Sequence, residues 1–227
     1  MAKRGKRYKD AVKKAGEKES LNLSDAIEKA KENSYSNFTG SIDLHVSINV
    51  PKDTDPKSIR SAITLPNATG DQDKQIIVFT EDKADEAEKA GAVKAGLEDL
   101  IKAVKDGSID FDVAIASPSV MPKIGQLGKI LGPKGLMPSP KNGTVTEDIK
   151  SAVEEYLKGK SNFACDEGGV LHISLGKADM ETEKLVENAK SFIEEVVKVV
   201  GKPRPIVLKS IHVSPSMGPS VPVELEN

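Results

Sequence analysis

The hydrophobic period of this chain changes twice along its length, and that limits the folds open to it more than any single motif does. From Ser41 to Val50 the apolar residues Ile42, Leu44, Val46, Ile48 and Val50 alternate with Ser41, Asp43, His45, Ser47 and Asn49. A period of two is a strand with one buried and one wet face. Ile76–Phe79 and Val113–Ala116 are instead continuous apolar runs, set among helical patterns at 82–90, 97–104 and 146–157. Buried runs alternating with amphipathic helices indicate parallel strands with crossover helices, a small α/β layer domain. After Gly159, which supplies a left-handed helix cap, the first texture returns. Strands at 161–165 and 170–175 flank Asp166-Glu167-Gly168-Gly169 as a hairpin candidate, a long helix covers 179–200, and a last strand runs from Ile206 to Val213. The expected architecture is a discontinuous α+β domain of residues 1–66 and 160–227 interrupted by an inserted domain of residues 67–159, with Pro66–Asp71 as a linker. Before the first strand, a basic arm leads to a helix through Glu32, with Ser24 as its N-cap.

The stretch Met121–Thr146 contains Gly125, Gly128, Gly132, Gly135 and Gly143, four prolines and Lys123, Lys129, Lys134 and Lys141, with no acidic or aromatic residue. Glycine permits close backbone approach and proline removes freedom, so the expectation is a loop of fixed shape with a positive field. It lies just beyond the carboxyl end of a parallel strand, where ligands of such sheets gather. Two readings stay open: a surface for a polyphosphate ligand, and a rigid structural turn. A Walker nucleotide loop is excluded, because no Gly-Lys-Ser/Thr follows a glycine at the required spacing, and the glycines are too irregular for a dinucleotide fingerprint.

Candidates for catalysis are few. His45, His172 and His212 fall on three separate predicted strands, with no HExxH or CxxC pattern to gather metal ligands. Ser117 and Ser119 beside prolines read as a turn, and no catalytic residue or cofactor is expected. The net charge of −2 excludes a wholly basic nucleic-acid binder and confines any such function to patches. One patch is residues 1–20, with eight Lys/Arg against three acids. With no Trp, three Tyr and five Phe the chain lacks rich stacking platforms, so an RNA partner would be a folded one, recognised by shape, phosphates and 2′-hydroxyls. The lone Cys165 and the lack of a long apolar run point to a cytoplasmic protein with no membrane partner. A phosphate-ligand enzyme using the lysine/glycine stretch is the competing reading.

The segment Gly125-Gln-Leu-Gly-Lys-Ile-Leu-Gly-Pro-Lys-Gly-Leu-Met-Pro-Ser-Pro-Lys-Asn-Gly-Thr-Val-Thr closely resembles the signature of the large-subunit ribosomal protein one family. Phe38-Thr-Gly-Ser-Ile-Asp-Leu is similar to that family's first strand, Phe111-Asp-Val-Ala-Ile-Ala-Ser-Pro to the strand before its signature, and Lys209 through Ser216-Met-Gly-Pro to its terminal motif. The resemblance implies a Rossmann-like three-layer α/β inserted domain, joined by two hinge strands to the domain that holds the main RNA site. It also implies, as partners, the ribosome, a folded stalk of large-subunit ribosomal RNA, exit-site tRNA and the protein's own messenger, with a monomer off the ribosome. Carried over by position, Phe38, Ser41, Asp43, Ser216, Met217, Gly218 and Pro219 form the main RNA surface, with His172 and Lys177 nearby. Lys129, Lys134 and Lys141 make secondary contacts. Asn37, Glu167 and Pro215 depart from the family pattern, and the first two remove positive charge beside the expected site.

Overall fold

The computed structural model describes residues 5–15, 20–50, 55–67, 75–81, 84–105, 107, 110–157, 159–201 and 203–225. Most of the expected linker, residues 68–71, lies outside them. Along the chain the elements are α1 (Lys6–Ala15), α2 (Leu23–Glu32), β1 (Ser41–Ile48), β2 (Arg60–Thr64), β3 (Ile76–Phe79), α3 (Ala84–Lys89), β4 (Lys94–Gly96), α4 (Glu98–Lys105) and β5 (Val113–Ala116). They continue with α5 (Met121–Ile124), α6 (Gly128–Leu131), α7 (Ile149–Leu157), β6 (Lys160–Ala164), β7 (Val170–Lys177), α8 (Thr182–Val200), α9 (Arg204–Val207), β8 (Leu208–Pro215) and β9 (Val221–Val223). Two compact units emerge, Met1–Gly70 with Phe163–Asn227, and Asp71–Asn162.

The discontinuous unit is built on an antiparallel sheet of order β7-β1-β8-β9. The alternation in β1 does what its period requires: Ile42, Leu44, Val46 and Ile48 are buried, and the residues between them remain partly accessible. The core they join includes Ala26, Ile27 and Ala30 of α2 and Leu185, Ala189, Phe192 and Val196 of α8. Phe192 meets Phe163 edge to face with centroids 5.0 Å apart, a favourable arrangement for two ring quadrupoles. The start of the expected linker is pinned. Asn188, fully buried, accepts from the Asn67 backbone N–H at 3.0 Å and donates to the Asn67 and Leu175 carbonyls at 3.0 and 2.8 Å.

The inserted unit is a three-layer α/β fold. Its sheet, of order β4-β3-β5, is parallel. Successive side chains of a strand point to opposite faces, so Ile77 and Phe79 join one core with Leu100, Val104, Ile124, Leu127 and Leu131, while Ile76 and Val78 join another with Ala87, Ile149, Val153 and Tyr156. Continuous apolar runs are thus explained by burial on both faces.

Several expected elements differ in detail. Asn22, not Ser24, precedes the first turn of α2, and it makes no side-chain capping bond. The first strand stops at Ile48, because the Asn49 N–H is taken by the Val207 carbonyl at 2.8 Å. The last long strand begins two residues later than expected, since Arg204–Val207 closes a helical turn first. The hairpin candidate is a turn between two sheets: β6 pairs with β2 and β7 with β1, leaving a single bridge, Cys165 to Leu171. Leu171, Ile173 and Leu175 bury with β1 in the main core, which draws β7 away from β6. The three-residue strands β4 and β9 are too short to carry a readable period.

Candidate nucleic-acid interface

One end of the four-stranded sheet gathers most of the expected RNA surface. Register places Ser41 opposite Lys177 on one side and Ile42 opposite Pro215 on the other, so the start of β1, the end of β7 and the turn after β8 meet there. Ser216 fastens the turn to β1. Its N–H donates to the Ser41 carbonyl at 3.0 Å, its Oγ accepts from the Ser41 N–H at 2.9 Å, and the two hydroxyls lie 3.0 Å apart. Ser41 Oγ in turn donates to Asp43 Oδ1 at 3.1 Å. On the other side of the turn, the Met217 carbonyl accepts from the Tyr35 N–H at 3.2 Å. The backbone is thereby held from both ends while the side chains of Phe38 and Met217 stay 61% and 42% exposed. Two exposed apolar groups beside hydroxyls and a carboxylate form a surface that offers a stacking platform and hydrogen-bonding partners to ribose and base edges.

Not every expected residue sits in this cluster. Pro219 is buried, so it shapes the turn and presents nothing to a ligand. His172 stands farther along the sheet, paired with His45, which is also paired with His212. The three histidines, separate in sequence, form one row across three strands. His45 Nδ1 lies 2.8 Å from His172 Nδ1 and its Nε2 lies 2.8 Å from Ser214 Oγ, while His172 Nε2 is 3.6 Å from Asp166 Oδ2. One tautomer set satisfies the chain: Ser214 donates to His45 Nε2, His45 Nδ1–H donates to His172, and His172 Nε2–H faces the Asp166 carboxylate. The Val170 N–H, at 2.7 Å, holds the Asp166 carboxyl below the usual carboxylate range. Burial, and then the neighbouring His172, push His45 below its ordinary value of 6.5, against an opposing pull from Asp43. Sequence reading placed His45 on the wet face of its strand but kept it apart from His172 and did not reach Ser214, because only strand register aligns them.

A pH prediction follows from His45. Its folded state holds protons less readily than the unfolded chain, so the stabilisation from keeping it neutral is complete above pH 6.5 and is lost as pH falls from there through the folded value. The melting temperature should therefore drop as pH falls below 6.5, starting above the range where most carboxylates titrate. In His45→Gln the drop should be smaller; an equal drop in both proteins would show that His45 is not its source.

The lysine/glycine stretch departs from the expected loop. It begins as a succession of helical turns whose inner side buries Val120, Ile124, Leu127 and Leu131. That i, i+4, i+7, i+11 spacing is a helical stripe, present in the sequence beneath the glycines and prolines. Gly125 and Gly128 have helical φ of −50° and −56°, and the N–H groups of Gly125, Gly128, Gly132 and Gly135 all donate to carbonyls within the segment. Those donors cannot also cradle a phosphate, so the glycines give no support to the competing reading of a phosphate-ligand enzyme. The end of the stretch is tied down by Tyr156, whose hydroxyl donates to the Asn142 carbonyl at 2.9 Å and is pushed up to about 12 chiefly by burial. Lys123 is not a free charge: it pairs with Glu81. Lys129 and Lys134 are exposed with no ion-pair partner among the described residues, and the side chain of Lys141 lies outside them. Among the described residues no group of three metal-ligating side chains converges, and no helix is long and apolar enough to cross a membrane. Cys165 is buried and free, its thiol pushed up by burial.

Residues 29–219 match the ribosomal protein L1p/L10e family. The large ribosomal subunit protein uL1 of Limosilactobacillus reuteri subsp. reuteri (strain JCM 1112) is 41% identical over 225 residues, covering 98% of this chain and 97% of that protein. The protein of the same name from Thermosipho melanesiensis is 42% identical over 227 residues, covering 98% and 97%. That from Treponema denticola is 40% identical over 223 residues, with the same coverage.

Proposed function

The chain belongs to the ribosomal protein L1p/L10e family, and from that membership we propose that it serves as a large-subunit ribosomal protein in the cytoplasm, working by binding rather than catalysis. In this reading residues 1–66 and 160–227 form the main RNA-binding domain and residues 67–159 the inserted one. The partner is a folded stalk of large-subunit ribosomal RNA, and the protein assists the movement and release of deacylated tRNA at the exit site. A similar fold in its own messenger makes it a translational repressor. The observation that carries the binding surface is the double fastening of Ser216 to Ser41, which holds the turn rigid while leaving Phe38 and Met217 exposed. Rigid presentation lowers the ordering cost of binding.

The test is binding of the purified protein to a folded ribosomal stalk RNA across a salt series, against an unrelated hairpin. Selective, salt-sensitive binding supports the reading; equal affinity for both RNAs sinks it. Lys134→Ala should cost less than any change in the turn, weakening all RNAs about equally and lowering the salt slope by roughly one. A loss larger than that of a Met217 variant would overturn the ranking of the two surfaces.

A further inference from the structure

The hydrogen bonds of the His45–His172 pair leave room for one added proton and no more. The two Nδ1 atoms lie 2.8 Å apart, so a single proton fits between them. The other ring nitrogens face groups suited to either charge state. His45 Nε2 is 2.8 Å from Ser214 Oγ, a hydroxyl that can donate or accept, and His172 Nε2 is 3.6 Å from Asp166 Oδ2, which as a carboxylate only accepts. In the neutral pair Ser214 donates to His45 Nε2. When that nitrogen gains a proton it becomes the donor and Ser214 Oγ the acceptor, a change that needs only rotation of the hydroxyl. A second added proton would have to sit on His172 Nδ1, against the N–H of His45. The pair therefore passes from neutral to a single positive charge without moving a ring.

Strand register surrounds the pair with residues that carry no positive charge. Toward the turn, Asp43 stands opposite Ser174 and Ser214; on the far side, Ser47 stands opposite Val170 and Ser210. Positive charge in these rows of the sheet can come only from the imidazoles. The groups that act on His45 are Asp43 on its own strand, His172 on β7 and His212 on β8, while Asp166, in the turn before β7, faces His172. In the free protein burial and His172 keep His45 below its ordinary value of 6.5, so near neutral pH it has a proton to gain. Asp43, on the expected RNA surface, is two residues along the same face, about 7 Å away. Phosphates of an RNA bound there come within a Debye length of the pair, about 10 Å at 0.1 M salt, and favour its charged form. Ser214, the hydroxyl that reverses its role, is two residues from Ser216, which fastens the turn. We propose that binding of folded RNA at this end of the sheet is coupled to uptake of one proton by the His45–His172 pair, so that the complex tightens as pH falls. The proposal rests on the RNA-binding reading above and adds a means of regulating that site.

The test measures binding of the full chain to stalk RNA and to an unrelated hairpin from about pH 8 to 6 at constant ionic strength, with thermal melts to show that each sample is folded. Calorimetry in buffers of different ionisation enthalpy counts the protons taken up. The stalk RNA Kd should fall about fivefold between about pH 7.5 and 6, within the limit of about tenfold per pH unit that one linked proton sets. Calorimetry should find an uptake above zero and below one proton. His45→Gln, whose amide can still bond Ser214, should give a nearly flat profile, an affinity close to that of wild type at about pH 8, and no uptake. His212→Gln, outside the pair, should keep the wild-type slope. Selective stalk binding with a flat profile in wild type, or the same slope and proton count in His45→Gln, overturns the proposal and leaves the RNA-binding reading standing. No selective stalk binding at any pH overturns both.

Discussion

Met217→Asp will weaken binding to stalk RNA by about 100-fold, equivalent to about 2.8 kcal/mol, and leave the melting temperature nearly unchanged. The asymmetry follows from how the residue is held. Its carbonyl is engaged by the Tyr35 N–H, and neighbouring Ser216 is fastened to Ser41, so the backbone conformation does not depend on the Met217 side chain. That side chain is 42% exposed, and surface replacements away from buried features usually move stability by less than about 0.5 kcal/mol. The cost falls on the complex. An apolar, polarisable group is lost from the contact, and the new carboxylate repels the RNA phosphates. Ser216→Val should lose about tenfold, since it removes the hydroxyl that accepts from the Ser41 N–H at 2.9 Å. Fluorescence anisotropy with labelled stalk RNA and a thermal melt on the same preparation check both variants; wild-type affinity in both would mean that RNA binds elsewhere.

Gly218→Ala is expected to damage both stability and binding. A Cβ at this position would lie 2.8 Å from the Asn33 carbonyl oxygen and 2.6 Å from Pro215 Cγ. One of these neighbours is backbone at the end of α2 and the other a proline ring, so neither can rotate aside as the tip of a flexible side chain would. Gly218 is not among the glycines with positive φ, which makes the effect steric and not conformational. Relief requires the turn to move away from α2, breaking the Tyr35 to Met217 bond and shifting Met217 itself. Overpacking of this kind costs about 1–3 kcal/mol, and the displaced turn should bind RNA as weakly as Met217→Asp does. Ser220→Ala, at an exposed position two residues on, is the control and should match wild type. A wild-type melting curve for Gly218→Ala would mean that the close approach of turn and helix does not persist in solution.

The residues of the candidate site differ in how far sequence could find them. Phe38, Ser41, Asp43 and the 216–219 turn were reached through resemblance to family motifs. Nothing in local spacing relates Ser41 to Ser216, because they lie 175 residues apart and their contact depends on β1 and β8 lying side by side. The histidine row is a sharper case, since two of its members come together only when β7 and β8 pair with β1 at one particular register. In the lysine/glycine stretch two signals compete: the stripe Val120, Ile124, Leu127, Leu131 has the spacing of helical turns, while the glycines and prolines between them have the composition of a loop.

Local sequence determined the layers. Alternation in 41–48 required a sheet with one wet face, and the uninterrupted runs at 76–79 and 113–116 required a sheet buried on both faces, because side-chain direction along a strand alternates whatever the partner. Tertiary structure alone decided partners and neighbours: which strand β7 joined, which hydroxyl fastened the turn, and which histidines lined up across the sheet. Those outcomes depend on distant segments competing for the same backbone donors and the same apolar core, and no window of sequence contains both competitors.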